Sequence, residues 1–216
     1  MADLPSIIPI FPLPNVILFP QVMLPLHIFE PRYRRMVRDA EMQSPSLIGM
    51  ALLRGNWQEK YEGTPDIFPV GCVGEMVRVN PLPDGRFNIL LQGLREFRIV
   101  EESPAKSYRE AKVEWRPSLR TALADGVRSQ LRRLLERYLQ NNEKVQQFLT
   151  DRSIEDEFLV NFFAFHLDFV PIEKQGLLEA ATLSERAERL CDMLDFKLSE
   201  TQWPDGGGAS RKPRMH

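Results

Sequence analysis

Few side chains in this sequence are of a kind that does chemistry, and fewer are spaced for it. His27 could act as a general base, but Leu24, Leu26, Ile28 and Phe29 surround it and no serine or cysteine is near it in the sequence. A histidine hydrogen-bonded at the seam of a small sheet is the reading favoured by that setting. His166 and Asp168 stand two apart on an expected helix and therefore point to different faces. The third histidine is the last residue, which leaves little stock for a zinc site. Cys72 and Cys191 lack nearby basic partners that would mark an activated thiolate, and no CxxC spacing exists. They read as reduced thiols, which points to the cytoplasm. Glu101-Glu102 and Glu155-Asp156-Glu157 are neighbours in sequence, explained by a solvated strand end and a first helical turn. Phosphate-binding loops need GxxxxGK[ST], and no Gly-Lys pair occurs; GxGxxG, HExxH and GxSxG are absent too. The sequence thus gives no support to ATPase, zinc-peptidase or serine-hydrolase chemistry, and no cofactor is expected.

The totals agree with a binding role or a structural one. The chain has 216 residues, 43% hydrophobic and 27% charged, with a net charge of −2. That is material for one large domain or two small ones with a real core. Residues 1–117 carry 14 basic and 14 acidic side chains, and residues 118–216 carry 14 and 16. Neither half is a polycation, which argues against nucleic acid as a partner. Arg32, Arg34, Arg35 and Arg38 form a local basic cluster, but Glu30, Asp39 and Glu41 flank it and a solvated helix face accounts for it. From Leu4 to Phe29 there is no formal charge, yet six prolines interrupt the stretch. Each proline costs roughly 3 kcal/mol inside a helix, so the segment reads as strands and not as a membrane span. Asp3 in place of a basic start argues against a secretory signal.

The elements that must position these groups follow from periodicity. Residues 7–11, 15–19 and 24–29 are short β-type runs separated by prolines. Pro31 opens a helix to Ala40, with Tyr33, Met36, Val37 and Ala40 on its apolar side. Leu47–Leu53 is an apolar strand, and residues 54–69 form a long loop carrying Trp57, Tyr61 and Phe68. Residues 71–80 and 86–92 make a hairpin about Pro81-Leu-Pro-Asp-Gly85; Gly93 breaks the run, and strands resume at 95–100 and 108–115. Strands at this spacing with one helix imply a small barrel or folded sheet. After Pro117 the period changes to 3.6, over 119–139, over 158–169 with Ser153 and Asp156 as caps, from Pro171, and over 187–198 behind a Thr182/Glu185 capping box. The expected organisation is a β subdomain over 1–117, a helical subdomain over 118–203 and a disordered tail over 204–216.

The opening is more specific than its composition. Ile10-Phe-Pro-Leu-Pro-Asn-Val-Ile-Leu-Phe-Pro20 followed by Leu24-Pro-Leu-His-Ile-Phe-Glu-Pro-Arg-Tyr33 resembles the signature of the Lon protease N-terminal domain family. The likeness continues through Ile48-Gly-Met, Gly71-Cys-Val-Gly74, Gly93-Leu-Arg-Glu-Phe-Arg98, Pro171-Ile-Glu-Lys-Gln175, Leu177-Leu-Glu179 and Arg186–Leu190, and covers about residues 7–200. It implies an α+β chain: an N-terminal PUA-like β-barrel with one short helix, then a C-terminal α-helical bundle. It also implies a stand-alone, non-catalytic module that recognises unfolded or partner protein segments, without ATP or proteolysis of its own. The PUA-like fold brings RNA binding as the alternative, and the oligomeric state stays open. Within the motif, His27, Phe29, Glu30, Pro31, Arg32 and Tyr33 read as structural, with Glu30 and Arg32 fixing the turn into the helix. The binding surface is expected at Trp57, Tyr61 and Phe68, since aromatics on a polar loop lie outside any periodic core pattern. Packing beneath the loop as a satellite cluster is the competing reading.

Overall fold

A computed structural model describes residues 4–60, 63–103, 106–119, 121–140, 142–151 and 153–202. The expected tail over 204–216 lies outside the described residues, as does Tyr61. The chain divides into two compact units, Met1–Ser118 and Leu119–His216.

The first unit holds β1 (Ile7–Leu13), β2 (Met23–Ile28), α1 (Pro31–Glu41), β3 (Leu47–Leu52), β4 (Val70–Pro81), β5 (Phe87–Ser103) and β6 (Arg109–Trp115). The sheet order is β2-β5-β4-β3-β1-β6, and β6 also pairs with β5. Five strands therefore follow one another in a closed circuit of hydrogen-bonded neighbours, and β2 extends that circuit from β5. All pairs are antiparallel except β1 with β3. β3, Leu-Ile-Gly-Met-Ala-Leu, is buried throughout, as a strand between two neighbours requires. Ile8, Ile10, Val73, Phe97, Ala111 and Val113 form the core around it.

α1 buries Tyr33, Met36, Val37 and Ala40, the four positions expected from its period. Two expectations for this unit are corrected. Residues 15–19 are not a strand, although Ile17, Leu18 and Phe19 are buried. Pro14 and Pro20 bracket them, and the segment packs as irregular chain against the two glycines that make room for it, Gly74 and Gly93. Gly93 does not end a strand either: β5 runs through it, with a register shift that absorbs the extra residue Leu94.

The second unit is built of α2 (Asp125–Tyr138), α3 (Glu143–Thr150), α4 (Asp156–His166), α5 (Pro171–Leu178) and α6 (Leu183–Gln202). Its core joins Leu131, Leu135, Leu159, Phe163, Leu177, Leu190 and Leu194. The single helix expected over 119–139 starts only at Asp125, and Leu119 and Leu123 are buried in irregular chain. α3 was not expected. Asn142, read as a stop, is its N-cap: the side-chain oxygen accepts from Val145 N at 3.2 Å. Ser153 does not cap α4 with Asp156; it donates to Asp151 at 2.7 Å, and Glu155 holds the cap position.

Candidate recognition surface

The sheet places one set of β2 side chains outward. Val22 O accepts from Gly93 N at 2.9 Å, and strand alternation then turns Leu24, Leu26 and Ile28 backbone groups toward β5. Register pairs Met23 with Gln92, Pro25 with Leu90 and His27 with Asn88. On β4, Arg78 and Asn80 continue the rows through Leu90 and Asn88. Met23, Pro25 and His27 are exposed, whereas Leu24 and Ile28 are buried. Phe29, just beyond the strand, is 60% exposed. Val77, in the β4 bulge beside Leu90, is exposed too. The result is an apolar strip along the outward face of β2 and β5.

Polar side chains fix one end of the strip. His27 Nδ1 lies 2.7 Å from Asn88 Oδ1, and Arg86 Nη1 lies 3.3 Å from His27 Nε2. A guanidinium only donates, so Nε2 accepts and Nδ1 carries the proton given to Asn88. Arg86 also pairs with Asp84 at 2.5 Å, and the Arg86 side-chain hydrogen bond holds the Asp84 carboxyl down at about 2. Phe29 stacks beside His27, with ring centroids 6.3 Å apart. His27 is thus an ordered, exposed residue of the face and not one enclosed within the sheet. The remaining motif residues turn the chain into α1. Arg32 Nε donates to Glu30 Oε2 at 2.9 Å, Pro31 starts the helix, and Tyr33 is buried with its ring 4.4 Å from that of Phe11. Phe29 parts company with them, since it points into solvent.

The expected loop is closed at its base. Leu53 bridges Ile67, Arg54 N donates to Asp66 O at 2.8 Å, and Phe68 N donates to Leu52 O at 2.9 Å. Trp57 sits half-buried in a 3-10 turn, Trp57–Lys60. Phe68 is half-buried at the other end, beneath the Arg54 guanidinium 5.8 Å from its ring centre.

In the helical unit, a polar groove of about 1010 Å³ is lined by Asp125, Arg128, Arg132, Glu136, Glu155 and Asp156 among others. Its arginines are committed. Arg128 pairs with Asp156 at 2.5 Å and Asp125 at 2.8 Å, and Arg132 donates to Leu149 O. Asp156 and Glu157 stand in the first turn of α4, as expected, and both are buried there. Asp156 also accepts from Leu123 N at 2.8 Å, tying the irregular chain before α2 to α4. The Arg128 hydrogen bond holds the Asp156 carboxyl below its ordinary value. Its contribution is therefore complete above about pH 4, the unfolded-state value, and is lost as pH falls through the lower folded-state value. Asp156→Asn is expected to lower stability by about 2 kcal/mol at neutral pH and to flatten the acid limb of urea midpoints measured against pH. A second aromatic feature lies on the helices. Phe148, Phe158, Phe162, Phe165 and His166 are half-buried and in ring contact along α3 and α4.

Neither cysteine is set up as a nucleophile. Burial pushes the Cys191 thiol up to about 11, which disfavours a thiolate, and Cys72 is likewise buried and in no disulfide. Among the described residues no group of three or more histidine, cysteine, aspartate or glutamate side chains is placed to hold a metal ion. No helix among them is long and apolar enough to cross a membrane.

The fold is shared with solved structures. The N-terminal domain of a Mycobacterium avium complex Lon protease matches over 88% of this chain and 98% of that one, with a TM-score of 0.69 at 15% identity. A Lon N-terminal domain protein from Xanthomonas campestris matches over 87% and 98%, with a TM-score of 0.65 at 23% identity. The sequence carries the relationship further. Residues 7–195 match the ATP-dependent protease La (LON) substrate-binding domain, and the chain belongs to that family. Lon proteases from Cytophaga hutchinsonii and Dictyoglomus thermophilum are each 30% identical to it, over 89% and 91% of this chain, and that from Escherichia coli K12 is 27% identical over 90%. The chain spans about a quarter of the length of these relatives.

Proposed function

We propose that this chain is a non-catalytic module that binds unfolded or otherwise exposed segments of other proteins through the outward face of β2 and β5. The observation that carries the reading is the apolar strip itself. Met23 and Phe29 are 41% and 60% exposed on a surface with no fixed charge between them. Burying such area releases about 25 cal/mol per Å², the main driving force for capturing apolar segments. Trp57 and Phe68 are secondary contacts, because both present only part of their rings. We read the closed strand circuit as the PUA-like barrel and α2–α6 as a helical bundle. The family relationship supports recognition without ATP hydrolysis or peptide cleavage by this chain, and buried cysteines outside any disulfide fit a cytoplasmic setting.

The test is a titration with a reduced, carboxymethylated polypeptide and with a structured RNA, at low and moderate salt, followed by tryptophan fluorescence. Saturable polypeptide binding that changes little with salt is the expected result. Binding to RNA alone, falling steeply with salt, would overturn the reading.

A further inference from the structure

We propose that the free edge of β2 takes an extended polypeptide segment as an added strand, so that the module reads backbone as well as apolar side chains. This rests on the recognition reading and gives its binding mode. β2 is the terminal strand of the sheet and, among the described residues, pairs only with β5. With Val22, Leu24, Leu26 and Ile28 turned toward β5, the backbone groups of Met23, Pro25 and His27 point away from the sheet. Pro25 fits there because the outward side is where a missing N–H breaks no ladder bond. The edge thus offers the N–H groups of Met23 and His27 and the carbonyls of all three residues. Only another extended backbone matches that row, and strand addition is an established way to occupy one.

Side chains and charge narrow the occupant. Met23, Pro25 and His27 recur at every second residue, with Phe29 beyond them, so a strand laid alongside would set alternate side chains over the apolar strip. Residues 23–29 carry no fixed charge, and neither do the facing Asn88, Leu90 and Gln92. The Arg86 charge is matched by Asp84, while Arg78, in register with Leu90, has no carboxylate in ion-pair distance among the described residues. An uncharged or acidic segment therefore fits, and a lysine-rich one is repelled. Pairing of two β2 edges is disfavoured, because each would bring a proline to the shared ladder.

The probe is a seven-residue acetylated and amidated peptide in which valine and phenylalanine alternate with threonine, with forms carrying one aspartate or one lysine. Amide hydrogen exchange is followed by NMR on the intact chain. At saturation the Met23 and His27 amides should slow by roughly tenfold or more, while Leu24, Leu26 and Ile28 are protected with or without peptide. N-methylating one alternate set of peptide amides should weaken binding roughly tenfold, the loss of about one good hydrogen bond, and methylating the other set should not. The lysine form should bind more weakly than the aspartate form. Saturable binding that leaves Met23 and His27 exchanging as in the free protein would overturn strand addition and leave the recognition reading standing. Absence of saturable binding would overturn both. Protection of those amides by rising protein concentration alone would assign the edge to a second copy and overturn the proposal.

Discussion

Replacing Arg186 with methionine is expected to lower the stability of the helical unit by about 4 kcal/mol, among the largest effects of any single change in the chain. Arg186 on α6 is fully buried, yet its guanidinium is occupied. Nε donates to Leu177 O at 2.9 Å, Nη2 to Leu178 O at 3.2 Å and Nη1 to Asn161 Oδ1 at 2.6 Å. The first two are end carbonyls of α5, which a helix cannot satisfy internally. Asn161 is itself fully buried on α4, so one side chain joins three helices. Methionine fills much of the volume but takes this donor from all three acceptors, of which Leu177 O also accepts from Ala180 N at 3.3 Å, in a dry interior where a lost partner costs about 1–3 kcal/mol. Urea unfolding followed by circular dichroism measures the effect. A loss below about 1 kcal/mol would mean that water or a neighbour replaces the guanidinium. Arg186→Lys keeps the charge but not the fork, and should recover only a minor part.

Gly93→Ala is expected to cost about 3 kcal/mol, for a steric reason. Gly93 is where β5 meets the irregular chain before β2: Gln21 N donates to its carbonyl at 2.7 Å and its own N–H donates to Val22 O. A Cβ there would run into the Phe19 carbonyl, with the Phe19 carbon at 2.9 Å. Both are backbone atoms, which no rotamer change can move aside. The chain over 19–22 would have to retreat, taking with it the bond that sets the phase of β2. Reduced stability should therefore come with weaker peptide binding, read by thermal unfolding and by titration of the same sample. Gly126→Ala, where a Cβ meets nothing within 4 Å, is the matched control and should hold or gain stability.

Some of this was legible in the sequence and some was not, for physical reasons. Tyr33, Met36, Val37 and Ala40 recur at the helical period, and arginines mark the other side, so the buried face of α1 could be read directly. The hairpin about Pro81–Gly85 was equally clear, because glycine at positive φ (78° at Gly85) belongs in such turns. The proposed recognition face was hidden. In Met23-Leu-Pro-Leu-His-Ile-Phe29 outward and inward residues are almost equally apolar, so polarity alternation gives no phase. The phase is set by the Val22–Gly93 contact, seventy-one residues apart in sequence. Trp57 and Phe68 drew notice as aromatics in a polar loop, but the Leu53–Ile67 bridge and Arg54 draw them half under. α3 was hidden because Asn142 suits a helix start as well as a helix stop. Arg186 stood within one of the motifs, and nothing local shows that α5 ends against it.

The most direct test of the recognition face is the affinity of the Met23→Asp, Phe29→Asp double variant for an unfolded polypeptide, measured beside Trp57→Ala. Both altered side chains are exposed, so the urea midpoint should stay close to that of the parent chain. Affinity should fall by roughly tenfold or more in the double variant, as expected for two apolar contacts turned to charges, and by less in Trp57→Ala. Unchanged affinity in the double variant, with its fold intact, would contradict the account and move the binding surface away from β2 and β5.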